Sequence, residues 1–212
     1  MFLRTLFTAL LALGIVACDA KADKFVEGTH YTVVATEKTS QPKVQEFFSF
    51  YCGHCFHFEP VAQKLAKNLP AGVPLEKIHV DFLPAAAPEV QQALTRAYLI
   101  GKELDQGDKV AGLIFNYIHR QGAKFGSDDD IRNLLLVNDI DAAQFDAKFN
   151  SLPLLNTVQQ MKTLQTKWSE NGVLTGVPTV LVNGKYKVHL DKLDPEHFEA
   201  DLQKLVTELL AK

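Results

Sequence analysis

The chain has 212 residues, of which 47% are hydrophobic and 22% charged, a composition that excludes a disordered chain and a polytopic membrane protein. Its formal net charge of −3 at pH 7 provides no basic field, so nucleic-acid binding is not expected. Three cysteines are too few for a multi-disulfide framework, but Cys52 and Cys55 are three positions apart, a spacing typical of redox chemistry or of half a metal site.

Residues 1–22 are predicted to be an export signal rather than part of the fold. Arg4 supplies a positive charge, and Leu6 to Val16 is an apolar run shorter than the roughly 20 residues that a membrane-spanning helix needs. An A-x-A cleavage site ends at Ala22. The alternative is a lipoprotein signal over residues 1–17, after which Cys18 would carry a lipid. Both interpretations place the protein in an exported compartment that tolerates disulfides.

In the segment after the signal, the apolar residues first follow the alternation of β-strands and then the spacing of a helix. Strands are predicted at Tyr31 to Val34 and at Val44 to Phe50. Beyond Cys52 the apolar residues fall at helical spacing, and Lys77 to Leu83 alternates again as a third strand. The crossover helix implies that the second and third strands are parallel. The C-x-x-C sequence therefore lies where a strand runs into a helix.

A helical block and a short hairpin follow. Five helices are predicted, at Pro88 to Leu104, Asp108 to Gln121, Ser127 to Asn138, Asp141 to Phe149 and Leu154 to Asn171. Ser127 is predicted to cap the third of them. Asn183-Gly184 is a typical two-residue hairpin turn between strands at Thr179 to Val182 and Lys185 to Val188. A last helix is predicted to open at Asp194-Pro195. The helical block thus interrupts an α/β domain.

The sequence Cys52-Gly53-His54-Cys55 is the candidate active site. A cysteine at a helix N-terminus lies beside unpaired backbone N–H groups and the positive end of the helix dipole, which favour the thiolate. Cys52 is therefore predicted to be the acidic thiol, and Cys55, one turn into the helix, to be shielded from solvent. His54 is predicted to add positive charge or a hydrogen bond toward the Cys52 sulfur.

Other uses of the two cysteines fit the sequence less well. A zinc site needs two more ligands, and no second C-x-x-C is present, although His30, His54, His57 and His79 are available. A c-type haem requires histidine after the second cysteine, where this chain has Phe56. A structural disulfide across two residues closes too small a ring to stabilise the fold much. Redox chemistry is predicted, with no metal and no cofactor.

The segment around the cysteines resembles that of a known family. Residues 46–55, Glu-Phe-Phe-Ser-Phe-Tyr-Cys-Gly-His-Cys, are similar to the active-site segment of the DsbA family of periplasmic thiol oxidases. Gly176-Val177-Pro178 resembles that family's cis-proline loop. The resemblance implies an α/β, thioredoxin-like fold with an inserted helical domain. Residues 23–85 and 158–212 would form the thioredoxin-like domain, and residues 86–157 the helical insertion.

The resemblance also implies a function. It predicts a periplasmic thiol:disulfide oxidoreductase that donates a Cys52–Cys55 disulfide to folding exported proteins. The protein would act as a monomer and be reoxidised by a quinone-linked, DsbB-like membrane protein. Pro178 would be catalytic, and the backbone of Val177 would pair with an extended substrate. Gly53-His54 departs from the family's commonest Pro-His and matches protein disulfide isomerases. A disulfide isomerase or reductase, or a non-enzymatic binding module of the same fold, remains an alternative.

A carboxylate is also expected at an unusual place. Alternation puts Glu46 on an apolar face of a central strand, where it should be protonated or meet a cation. By resemblance, Lys77 occupies the position of the family's buried lysine. The functional interpretation is a proton relay from Glu46 and Lys77 to Cys55, and the alternative is that Glu46 turns to solvent at the strand end.

Several other aromatic residues and histidines are predicted to have structural rather than catalytic roles. Three phenylalanines of the second strand are predicted to lie in the core: Phe47, Phe48 and Phe50. Trp168 is predicted to pack a helix. Three histidines are predicted to be surface residues or hydrogen-bonded internal ones rather than ligands: His57, His79 and His119.

Overall fold

The computed structural model describes residues 24–212. The predicted export signal, including Cys18, lies outside the described residues. Five strands form one mixed sheet in the order β1-β5-β4-β2-β3. They are β1 Tyr31–Val33, β2 Val44–Phe48, β3 Leu75–His79, β4 Thr179–Val182 and β5 Tyr186–Val188. Central β2 runs parallel to β3 and antiparallel to β4, which confirms the predicted parallel pair.

The third strand differs from its prediction. It begins two residues before Lys77 and ends at His79 rather than Leu83. Its partner β2 ends at Phe48, whose carbonyl accepts the N–H of Val80 at 2.8 Å, and beyond that point the neighbouring strand offers no further partner. Phe82 consequently lies outside the sheet, with 42% of its surface exposed.

The described residues form seven α-helices: α1 Gly53–Lys67, α2 Pro88–Glu103, α3 Gly107–His119, α4 Asp128–Leu136, α5 Ala142–Phe149, α6 Leu152–Glu170 and α7 Phe198–Ala211. The five helices of the central block agree with prediction to within two residues at each end. Ser127 caps α4 as predicted, since its hydroxyl accepts the N–H of Asp130 at 3.3 Å. The last helix begins later than predicted because the Asp194 side chain accepts the N–H of Glu196 at 2.9 Å and holds a turn there.

Helix α6 takes part in two hydrophobic cores. Near its start Leu154 is buried among the helices α2 to α5, whereas Trp168, near its end, packs against Phe47 and Ile78 of the sheet. Trp168 is therefore a packing residue, as predicted. The expected division between residues 157 and 158 falls inside this continuous helix, whose contacts change from one core to the other around Met161. On the opposite face of the sheet, α1 and α7 cover β2, β4 and β5.

Candidate active site

Cys52 is the N-cap of α1, with φ −94° and ψ 115°, so the chain enters the helix at this residue, after a short segment that follows the end of β2 at Phe48. Its sulfur accepts the backbone N–H of Cys55 at 3.3 Å. The thiol also donates to the carbonyl of Val177 at 3.2 Å, on the segment that leads into β4. Both cysteines are thiols in this structure, and Cys52 is 8% exposed whereas Cys55 is fully buried.

The two thiols differ sharply in acidity. The hydrogen bond between the Cys52 and Cys55 side chains is the main cause that lowers the pKa of Cys52 to about 6. Burial raises this pKa, whereas the backbone N–H groups of Cys55 and His54 and the charge of His54 lower it. The hydrogen bond to Cys52, followed by burial, raises the pKa of Cys55 far above its usual value. This order agrees with the prediction, but the Cys55 thiol contributes more than the helix start and His54, which the sequence had suggested as causes.

The peptide bond between Val177 and Pro178 is cis, which confirms that prediction from the family resemblance. The Val177 carbonyl faces the Cys52 sulfur, so the loop and the C-x-x-C form one surface. Beside them a groove of about 830 Å³ opens, with His54 at its active-site end. We call it the active-site groove. Its apolar wall includes Phe58, Val61, Val177, Pro178, Leu190 and Phe198.

A buried charge cluster lies beneath the cysteines. Glu46 is 1% exposed, and its carboxylate is 3.3 Å from the Lys77 ammonium, so the predicted encounter with a cation is confirmed. Neither carboxylate oxygen of Glu46 has a hydrogen-bond partner within the described structure that satisfies normal geometry. Burial raises the pKa of Glu46 to about 7, while Lys77 opposes that rise.

Glu59 completes this cluster and was not predicted from the sequence. It forms a buried ion pair with Lys77, so two carboxylates share one ammonium. Although burial lowers the pKa of Lys77, the charges of Glu46 and Glu59 raise it more. A signal was present, because Glu59 falls four residues after Cys55 on the face of α1 that the periodicity marks as buried.

The remaining phenylalanines and histidines singled out in the sequence lie partly in the core and partly at the surface. Phe47, Phe48 and Phe50 are fully buried, as predicted. His57 is exposed, His119 is half-buried, and buried His79 has hydrogen-bond partners at both ring nitrogens. Within residues 24–212 no three His, Cys, Asp or Glu side chains are grouped closely enough to hold a metal ion. No helix in that same range has the length and apolarity that crossing a bilayer requires.

Comparison with known proteins gives consistent similarities. Residues 43–203 match the family described as DSBA-like thioredoxin domain. The thiol:disulfide interchange protein DsbA of Haemophilus influenzae is 34% identical over 211 residues, which cover 96% of this chain and 98% of the relative. The protein of the same name from Dickeya dadantii is 36% identical over 196 residues, 91% and 89% of the two chains.

Solved structures agree with these sequence matches. A Proteus mirabilis DsbA variant, in complex with the non-covalently bound peptide PWATCDS, superposes with a TM-score of 0.76 at 31% identity, over 89% of this chain and 99% of that chain. DsbA from Klebsiella pneumoniae also gives a TM-score of 0.76, at 28% identity, over 90% and 100% of the two chains. The predicted thioredoxin-like α/β fold is therefore confirmed.

Proposed function

The chain belongs to the family of DsbA-like thioredoxin domains and is a protein disulfide oxidoreductase, and from this premise we propose that Cys52 and Cys55 form the disulfide it donates to folding exported proteins. The observation that carries the proposal is the placement of the two cysteines: Cys52 lies at the N-cap of α1, where its sulfur accepts the N–H of Cys55 at 3.3 Å, and Cys55 is fully buried behind it. A thiolate favoured at Cys52 makes this sulfur both the better nucleophile at neutral pH and the better leaving group.

The transfer proceeds in two displacements. A substrate thiolate attacks the Cys52 sulfur of the Cys52–Cys55 disulfide, a mixed disulfide forms, and Cys55 leaves with the electron pair of the broken bond. A second substrate thiolate then attacks the substrate sulfur of the mixed disulfide and releases Cys52 as a thiolate. The substrate dithiol loses two electrons, and the enzyme disulfide gains them and becomes the dithiol form. No cofactor takes part in either step.

The leaving Cys55 needs a proton because its pKa is high. Glu46 is the nearby acid that supports such a transfer, since its pKa of about 7 keeps a large fraction protonated at neutral pH. The charge of Glu46 also acts on Cys55, where it disfavours the thiolate. We therefore assign Glu46 as the proton relay to Cys55 and Lys77 as the positioning residue that shares its charge with Glu59.

The substrate is proposed to bind as an extended peptide across the cis-proline loop and into the active-site groove. Val177 presents its backbone beside the Cys52 sulfur, Pro178 shapes the loop, and His54 borders the entrance. The related Proteus mirabilis protein was solved with a cysteine-containing peptide bound non-covalently. An apolar groove next to a reactive sulfur suits the exposed hydrophobic segments of proteins that have not finished folding.

A charge introduced into the active-site groove should weaken the binding of protein substrates but not that of small thiols. Leu190→Glu places a carboxylate in the apolar wall, away from the cysteines, so we expect KM for a reduced unfolded protein to rise about five- to twentyfold, the effect of roughly 1–2 kcal/mol of lost binding. Exchange with glutathione, which is too small to need the groove, should keep its rate. Stopped-flow kinetics with both substrates measure this, and equal losses for both would contradict the assignment.

The setting of this chemistry is also part of the proposal. The apolar run at Leu6 to Val16 supports export to the periplasm, with a soluble or a Cys18-linked lipidated product. Family membership supports reoxidation by a quinone-linked, DsbB-like membrane protein. Action as a monomer is a further part of the proposal. The isomerase or reductase alternative is favoured by one feature, the Gly53-His54 dipeptide.

The proposed function is tested by transfer of the disulfide to reduced, unfolded ribonuclease. One equivalent of oxidised protein should form one disulfide in the substrate. Cys52→Ala has no disulfide to donate and should transfer none to reduced ribonuclease. Reduced Cys55→Ala is incubated instead with scrambled, disulfide-containing ribonuclease, where its Cys52 thiolate should attack a substrate disulfide, release one substrate thiolate and accumulate a mixed disulfide that no second enzyme thiol resolves. Mass spectrometry of acid-quenched samples identifies this product, and a mixed disulfide that forms as readily through Cys55 in Cys52→Ala would overturn the assignment.

A further inference from the structure

Two imidazoles hold the backbone of Phe50, the residue two positions before Cys52. The N–H of Phe50 donates to His79 Nε2 at 3.1 Å. The carbonyl of Phe50 accepts from His119 Nε2 at 2.8 Å, so Nε2 of His119 carries a proton. Because this segment lies between the end of β2 and the N-cap of α1, the two side chains set the path by which the chain reaches Cys52.

His79 is a fixed acceptor. The Thr95 hydroxyl donates to the carbonyl of Gln91 at 3.0 Å and therefore accepts from His79 Nδ1, which is 2.8 Å away. His79 Nε2 is left free of hydrogen and able to accept the N–H of Phe50. Burial lowers the pKa of His79 to about 3, so it stays neutral at physiological pH. The hydrogen bond from the Phe50 N–H to His79 is therefore kept throughout the physiological pH range.

His119 contacts both sides of the C-x-x-C. It is the last residue of α3, in the helical block, and its ring stacks on Phe56 with centroids 5.1 Å apart and planes 13° from parallel. Phe56 directly follows Cys55, and its N–H donates to the carbonyl of Cys52 at 3.0 Å. One side chain thus hydrogen-bonds the segment before Cys52 and packs on the residue after Cys55.

We propose that His119 is a positioning residue for the thiol chemistry, which braces both flanks of the C-x-x-C and holds the Cys52 sulfur against the N-terminus of α1 in the dithiol protein. This rests on the function proposed above for the two cysteines. In the oxidised protein the disulfide itself fixes Cys52 to the first turn of α1, whereas in the dithiol protein hydrogen bonds alone do so. The brace therefore stabilises the dithiol form more than the disulfide form and favours donation of the disulfide.

Two substitutions separate the hydrogen bond of His119 from its ring. His119→Phe keeps a ring on Phe56 and removes the donor to Phe50, whereas His119→Gln keeps an N–H donor. For His119→Phe we expect the pKa of Cys52 to rise by about half a unit to one unit, and the glutathione equilibrium to shift about three- to tenfold toward the oxidised protein. His119→Gln should remain within about twofold of the wild type in that equilibrium.

The control distinguishes positioning from simple destabilisation. Ile114→Val loosens the fully buried packing of α3 and leaves the His119 donor to the Phe50 carbonyl in place, so it should lower the melting temperatures of both redox forms and leave the pKa of Cys52 unchanged. Thiolate absorbance near 240 nm reports that pKa. His119→Met, which also lacks a donor, replaces His119→Phe if the latter does not fold.

Two results would overturn the proposal: an unshifted pKa of Cys52 in the variant without a donor, or the same shift in Ile114→Val. Failure of the underlying function is recognised separately. In that case the wild-type Cys52 would itself titrate as an ordinary thiol and no disulfide would be transferred to reduced ribonuclease.

Discussion

Reduced protein at pH 6 is expected to react with iodoacetamide at Cys52 and to leave Cys55 intact. With a pKa of about 6, half of Cys52 is thiolate at this pH, whereas Cys55 has a strongly raised pKa and no exposed surface. Even after allowing for the weaker nucleophilicity of an acidic thiolate, we expect the rates to differ by about a hundredfold or more. Peptide mapping by mass spectrometry measures this selectivity.

The pH profile of the same reaction identifies what makes Cys52 acidic. Its midpoint should lie near 6 in the wild type. Cys55→Ala removes the thiol that contributes most to the low pKa while keeping the backbone N–H groups at the helix start, so the midpoint should move upward. An unchanged midpoint would mean that the helix start and His54 are sufficient. Equal reactivity of the two thiols would refute the nucleophile assignment.

Glu46→Gln is expected to stabilise the protein, and the gain should grow with pH. Because the pKa of Glu46 is raised from 4.5 to about 7, the folded protein holds a proton that the unfolded chain releases. The folding free energy therefore becomes less favourable as pH rises from about 4.5 to 7, and the loss is complete above that range. A neutral glutamine avoids the loss, so the gain should be about 3 kcal/mol at pH 8 and under about 1 kcal/mol at pH 5.

The charges of the buried cluster also predict that Glu46→Gln stabilises the folded protein. With Glu46 ionised, two buried carboxylates share the Lys77 ammonium, and the substitution leaves a neutral pair of Lys77 with Glu59. Urea unfolding at pH 5 and pH 8 measures the effect. Glu76→Gln is the matched control, since Glu76 lies on β3 in a more exposed pair with Lys43 and should change stability by less than about 1 kcal/mol. A loss of stability in Glu46→Gln at pH 8 would contradict a raised pKa.

The sequence predicted the elements that depend on local patterns. The capped start of α4 at Ser127, the Asn183-Gly184 turn and the helix after Cys52 follow from residue type and spacing alone, and all are present. The predicted end of β3 at Leu83 was wrong, and the strand ends at His79, because the length of a strand depends on its partner and β2 ends at Phe48. The position of a strand end is set by the pairing of segments that are distant in the chain, and the alternation of residues within one segment does not show it.

The candidate site was predictable to a similar degree. The position of Cys52 and the direction of its pKa shift follow from a helix that begins at the C-x-x-C, and the burial of Glu46 follows from strand alternation. The largest cause of the low pKa, the hydrogen bond with the Cys55 thiol, was not predicted. The part played by Glu59 requires knowing how α1 packs over β2 and β3. The contact of His119 with Phe50 joins residues 69 positions apart in the chain, and no sequence spacing indicates it.

The most direct test of the account is the equilibrium of the purified protein with glutathione at pH 7. A Cys52 thiolate favoured in the folded dithiol protein should make the disulfide strongly oxidising. We expect a reduction potential nearer to the value of about −120 mV typical of DsbA-type oxidants than to about −180 mV, the isomerase range. A value at or below about −180 mV would contradict a dedicated disulfide donor and favour the isomerase or reductase that Gly53-His54 left open.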